Sequence, residues 1–254
     1  MISGAMTLIR MDLLKLGRRR GLMGIAMLIA VGSVAVIFTV LAVRHGADPQ
    51  HVGPAGGVKN FQNATDFLGM IAVVIAAMIG VTAGAGDAEI GVLRDLLATG
   101  RSRLGLFGSR AVAAVAATLA ILGASLALAT ICSIVLAGSA HVPSMTMIVQ
   151  RDAAVLAFGA AGALVCAGVA TFVRSRGPLM ASVIAFGVLI SQLLLQISFL
   201  GRLRELLPLA AFQRMAGDAI SGLHISLPVA IAVAGGWALA ALAAGGWWAR
   251  RVEV

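Results

Sequence analysis

The charges of this chain are confined to a few narrow zones. Residues 21–43, 67–86, 111–150, 153–173, 177–201 and 219–249 hold no Asp, Glu, Lys or Arg. Each stretch is long enough to cross a hydrocarbon core of about 30 Å as a helix of ~20 residues. Lipid offers no partner to backbone polar groups, so only helices or closed barrels can span it. None of these stretches alternates strictly between apolar and polar residues, which selects helices. His141 with Pro143 breaks the third stretch, and His224 with Pro228 marks the start of the last. The six spans are therefore read as 22–43, 67–86, 112–137, 153–173, 178–200 and 228–249. The expected fold class is an all-α integral membrane protein with six transmembrane helices.

Composition excludes the competing classes. With 60% apolar and only 11% charged residues, the chain is neither an ordinary soluble globule nor a disordered one. The net charge of +9 could suggest nucleic acid, but the basic residues form no continuous face and sit at the edges of apolar runs. No nucleic-acid partner is expected. An even number of spans puts both termini on one side. Of the 19 Lys and Arg, only Arg44, Lys59, Arg151, Arg202, Arg204 and Arg214 fall on the opposite side. The positive-inside rule then places both termini in the cytosol. Trp247 and Trp248 end the last span on that side, where indole rings favour the headgroup level. The first apolar run is too long for a typical signal-peptide core.

What the spans lack limits the chemistry. No ionisable residue lies deep in any of them, whereas ion-coupled carriers need an embedded charge or a broken-helix site. The chain has no G-x-x-x-x-G-K-[ST]; the Gly-rich stretch Gly53 to Lys59 has the wrong spacing and falls in an outer loop. Energy for uphill transport would have to come from a partner. His45, His51, His141 and His224 lack metal-ligand spacing. No nucleophile elbow is present, and Asp87, Glu89 and Asp95 have no His beside them to make an acid/base pair. The chain is thus expected to be non-catalytic, with no cofactor or metal of its own. Cys132 and Cys166 lie inside spans and read as small apolar fillers. Small residues recur every fourth position in span four (Gly159, Ala163, Ala167, Thr171) and as Gly80 and Gly84 in span two. Such rows let helices approach closely in lipid, within one chain or across a dimer seam.

Two cytosolic segments carry pattern. Met6, Ile9, Leu13 and Leu16 share one face of a helix over 5–20, with Arg10, Asp12, Lys15, Arg18 and Arg19 on the remaining arc. Such a helix suits a lipid interface. In the segment 87–103, Ile90, Leu93, Leu96 and Leu97 fall within one arc, with Arg94 and Asp95 outside it and Glu89 close to its edge. Gly100 can end this helix, and Arg101 and Arg103 anchor the return to the membrane. A short helix of this kind can dock in a groove of another protein.

The basic amphipathic N-terminus, the six spans and the loop residues Glu89, Gly91, Leu93, Leu96, Leu97, Thr99 and Arg103 resemble the permease subunit of type 2 ABC exporters. Members often carry Pro where Gly100 stands. The outer segment from Arg204 to Phe212 also resembles the family, which places short, re-entrant-like helices between spans five and six, here 201–226. The resemblance implies a dimeric permease, built with a second copy or a paralogue, in the bacterial plasma membrane. Two copies of a separate ABC ATPase would bind beneath it and hold the ATP and Mg. The loop 87–103, with Gly91 in it, would be the coupling helix, with Glu89 and Arg94 in its polar contacts and Ile90, Leu93 and Leu97 as apolar anchors, flanked by Arg101 and Arg103. Arg174 and Arg176 would form a smaller second contact, or serve only topology.

The same resemblance implies a pathway at the dimer centre, lined by spans one, two and five. Span five presents Ser182, Ala185, Leu189, Gln192 and Gln196 on one helical face, turned to that cavity or to a neighbouring helix. An apolar wall with a few neutral polar groups suits a hydrophobic or amphipathic small molecule, drug-like, lipid or peptide. The alternative functions are a six-span capture subunit of an importer and a non-transporting membrane scaffold.

Overall fold

In the computed structural model, residues 2–89, 102–173, 175–218 and 223–251 are described. Among them there is no strand. Helix α1 (Ile2–Arg18) is followed by α2 (Arg20–Ala47), α3 (Val58–Glu89), α4 (Arg103–Val135), α5 (Met145–Val169) and α6 (Arg176–Gln196). A 3₁₀ segment (Ser198–Leu206) and α7 (Pro208–Ala216) lead to α8 (Leu227–Arg251). Six of these helices, α2 to α6 and α8, are long and apolar enough to cross a membrane.

The centre of the bundle is α3, which packs against α4, α5 and α6. Over its most apolar stretch 56% is buried, against 22% for α2, 17% for α8 and 11% for α6. Phe61, Leu68, Ile75 and Ile79 of α3 are fully enclosed, as are Leu122 of α4 and Val155 of α5. The outer helix α2 meets the core through a row at four-residue steps, Ala26, Ala30, Val34 and Phe38.

The most extensive seam joins α3 to α5, and its close approaches come from the rows of small residues. A Cβ on Gly80 would lie 2.7 Å from the Ala163 carbonyl oxygen, and one on Gly84 2.7 Å from that of Ala167. Ala163, Cys166 and Ala167 are buried on the facing side. Lipid tails are as apolar as Leu, so helices in a bilayer gain by this close van der Waals approach rather than by leaving water. The rows thus serve packing within the chain. Cys166 acts here as a small apolar residue, and both cysteines are free thiols.

The segment between α6 and α8 folds back into the bundle. Leu209, Ala210, Ala211, Phe212, Met215 and Ala216 of α7 are all buried. The Phe212 ring stacks on Phe158 of α5 at 5.0 Å between centroids and fills the space that Gly69 leaves on α3. The Leu206 carbonyl accepts a 2.9 Å hydrogen bond from Nε1 of Trp237, near the middle of α8. The start of α7 is thereby tied to the middle of α8, and the residues from Leu209 onward are covered by protein, the condition under which irregular chain is tolerated at membrane depth.

The far end of α7 is held by Arg151 of α5, whose side chain is 4% exposed. Its Nη1 donates to Asp66 Oδ1 at 2.7 Å and to Thr65 Oγ1 at 3.1 Å, both on α3. Its Nη2 donates to Asp218, just beyond α7. One guanidinium fork thereby ties α3, α5 and the re-entrant segment together.

The helices run past the apolar edges that define the expected spans. Asp66 falls within α3, Arg110 within α4, and Arg151 and Asp152 within α5. A charge marks where bare hydrocarbon ends, but a helix can continue past it, as α3 and α5 do where Asp66 and Arg151 pair. Helix α1 begins and ends slightly before the expected 5–20. Its Asp12 is buried and accepts a 2.6 Å hydrogen bond from Ser109 Oγ of α4. Leu16 is buried beside it, while Met6 and Leu14 are exposed. The Gly-rich loop before α3 is structural: Gly56 and Gly57 donate to the carbonyls of Leu136 and Ser133, each at 2.8 Å.

Two substitutions test these contacts. Gly80→Leu overpacks the α3–α5 seam and is expected to lower unfolding stability by about 1–3 kcal/mol, read as an earlier thermal transition of the detergent-purified chain. Arg151→Met leaves Asp66 and Asp218 without their shared cation. Breaking a buried pair costs ~3–5 kcal/mol; both carboxylates are partly exposed, so a loss of ~1–3 kcal/mol is expected. Adding Asp66→Asn and Asp218→Asn to Arg151→Met should recover part of it.

Candidate functional site

Two regions concern function: the end of the bundle that carries α1, and an apolar slot beneath α6.

At the first, the α3 helix ends at Glu89 and α4 begins at Arg103. Ser102 caps α4 by accepting from the Gly105 N–H at 3.1 Å. Arg103 Nη1 reaches the Arg250 carbonyl at 3.5 Å, which brings the start of α4 beside the end of α8. Aromatic residues gather here: Phe172 lies 5.2 Å from Trp248, and the Arg251 guanidinium sits 4.1 Å above the Trp247 ring. This is a cation–π contact at an amphipathic belt. Arg176 opens α6 at the same end. Ile90, Gly91, Leu93, Arg94, Leu97, Arg101 and Arg174 lie outside the described residues, as does the side chain of Glu89.

The slot has a volume of about 320 Å³ and lies between α3, α5, α6, α7 and α8. Its walls include Val73, Phe158, Val165, Phe186, Leu209 and Trp237, and no charged residue lines it. The hydroxyl and indole groups in its wall are already engaged, and Cys166 adds only a weakly polar thiol. Ser182 Oγ donates to the Pro178 carbonyl at 2.9 Å, and Ser191 Oγ to the Phe186 carbonyl at 2.8 Å. Trp237 spends its only donor on Leu206. A hydroxyl has one proton and indole one N–H, so these three groups have no donor left for an occupant. The slot can hold apolar matter and can neither neutralise a charge nor satisfy a chain of acceptors.

A π-turn shapes the wall. In α6, residues Ala185–Ile190 form a π-helical turn, and a second one, Leu28–Gly32, interrupts α2. The Phe186 carbonyl accepts from both the N–H and the Oγ of Ser191, five residues on. The extra residue per turn rotates everything beyond it relative to a regular helix. The row Ser182, Leu189, Gln192 and Gln196 assumes one unbroken period. In the structure Ser182 lines the slot and the other three do not. Leu189 and Gln196 are exposed on α6, and Gln192 is half-buried. Ser191 takes the place on the slot wall. A Ser following Phe186 and Gly187 in an apolar run gives no periodic signal of a bulge, so the pattern alone does not find it.

Sequence reasoning also passes over Trp237, which reads as one more apolar residue in the last span, and Arg151, which reads as a boundary charge. No protein-family model and no curated protein sequence matches the chain.

The π-turn yields a direct test. Ser191→Ala removes the hydroxyl that shares the Phe186 carbonyl and should cost about 0.5–1.5 kcal/mol, measured by thermal unfolding in detergent.

Proposed function

We propose that the chain is the membrane-spanning, non-catalytic subunit of an ATP-driven exporter of the type 2 ABC class. It pairs with a second permease, is energised by two copies of a separate ATPase, and passes a hydrophobic or amphipathic small molecule. The observation that carries this reading is the state of α2 and α6, the spans assigned to the shared pathway. They are among the least buried spans, both flank the central α3, and both are interrupted by a π-turn. Such turns occur frequently at functional sites.

Three further features support it. Leu28, Val36 and Val43 of α2 and Leu189 and Leu193 of α6 leave apolar faces open, and a second permease packing there would enclose the neighbouring Gln192 and Gln196. The helix α1 is separate from the first span and bonded to the start of α4, so movement of the cytosolic segment before α4 reaches the interface. The sequence 87–103 supplies an apolar arc edged by charge on the side where the positive-inside rule puts the cytosol. With both termini cytosolic and α1 at the lipid surface, the ATPase binds at the end where α3 and α4 meet. In a bacterial cell this is the plasma membrane.

The coupling assignment is tested by co-purification with a candidate ABC ATPase from the same organism. Leu93→Asp places a charge in an apolar groove and should weaken association about 30-fold or more, the effect of losing a hot-spot anchor. Glu89→Ala should preserve the complex but cut transport-linked hydrolysis. Full association and export by both variants would remove the segment from this role.

A further inference from the structure

We infer that the slot beneath α6 is a binding site for a single lipid acyl chain, taken from the leaflet at the Arg176 end of the bundle. This stands apart from the exporter reading, because it requires neither an ATPase nor a second permease.

Three observations point to a hydrocarbon chain. The first is chemistry: no charged residue lines the slot, and the protons of Ser182, Ser191 and Trp237 are committed to backbone carbonyls. A ligand with buried acceptors or charge would lose its hydration without replacement, at several kcal/mol per group. A methylene chain loses nothing polar and gains van der Waals contact with the slot wall.

The second is shape. On α6 the wall runs from Leu179 to Ser191, roughly 18 Å along a helix. One leaflet of a hydrocarbon core is about 15 Å deep, which is the depth an acyl chain occupies. The volume of about 320 Å³ lies at the low end of ligand cavities, ~300–1,000 Å³. Spread over that length, it makes a narrow slot rather than a chamber for a compact polycyclic body.

The third is position. The slot starts about one turn beyond Arg176 and ends at mid-depth, where Trp237 and Leu209 close it. Its outer end therefore lies at the level of Phe172, Trp247 and Trp248, the belt where headgroups sit. A chain can enter with its headgroup left at that belt, so no polar group has to cross the apolar wall.

The probe is phosphatidylcholine with a diazirine midway along its sn-2 chain. A trace amount is added to vesicles of phosphatidylethanolamine and phosphatidylglycerol holding the full-length chain. After photolysis, adducts are mapped by mass spectrometry. Adducts are expected on residues 158–169 and 182–191, in excess of those on the exposed outer residues Val36, Ile231 and Leu239. Val165→Phe, or Ala161→Phe should the first not fold, fills the slot and should cut slot adducts about tenfold while leaving the outer adducts unchanged. Adducts spread evenly over outer faces, or slot labelling indifferent to both filling variants, would overturn the assignment. Slot labelling of the phosphatidylcholine that a detergent-soluble apolar drug displaces but excess unlabelled phospholipid does not would also overturn it, in favour of cargo.

Discussion

The bundle depends on how closely α3 and α5 approach. In water, burying Leu against Leu would suffice; in lipid that exchange is nearly neutral, and only dense contact between backbones brings a gain. Gly80 and Gly84 on one helix and Ala163, Cys166 and Ala167 on the other provide it. With that seam closed, α4 packs along one side of α3 and α6 along another, and Gly69 receives the Phe212 ring. Arg151 fixes the outer end of the same seam and holds the re-entrant segment in it. The slot then follows from geometry: α7 enters the bundle only part of the way, so α5, α6 and α8 are left unfilled below Leu209 and Trp237.

Much of this is legible in the sequence, for a physical reason. A membrane permits few charges, so those present locate the ends of the apolar spans, and six helices follow from them. The small-residue rows are legible too, because close packing leaves a four-residue period. Other features leave no period. Arg151 looks like a boundary charge until Asp66 and Asp218 are brought to it from distant parts of the chain. The π-turn in α6 shifts the phase of the helix, and with it the relation of Ser182 to Gln192 and Gln196, without any mark in a uniformly apolar stretch. Trp237 looks like a lipid-facing aromatic until the Leu206 carbonyl appears beside its N–H.

The proposed function implies a division of labour. The inner helices, held by the α3–α5 seam, would form the frame. The sparsely buried α2 and α6, each interrupted by a π-turn, would be the elements that shift against it. Rigid frames with loosely packed flanking helices suit two-state rearrangement, since an interface that changes has to come from the less stable parts of a structure. On the proposed function, the drive for such a change comes from the partner ATPase, outside the hydrocarbon. The charged end of the bundle, where α1, the start of α4 and the end of α8 meet, is where it can enter.

The most direct measurement is ATP hydrolysis by a candidate partner ABC ATPase in vesicles, with and without this chain, across a series of uncharged apolar compounds. An exporter subunit predicts hydrolysis that rises with apolar cargo only when the chain is present. Hydrolysis unaffected by the chain at every cargo tested, with no complex between the two proteins, would contradict it.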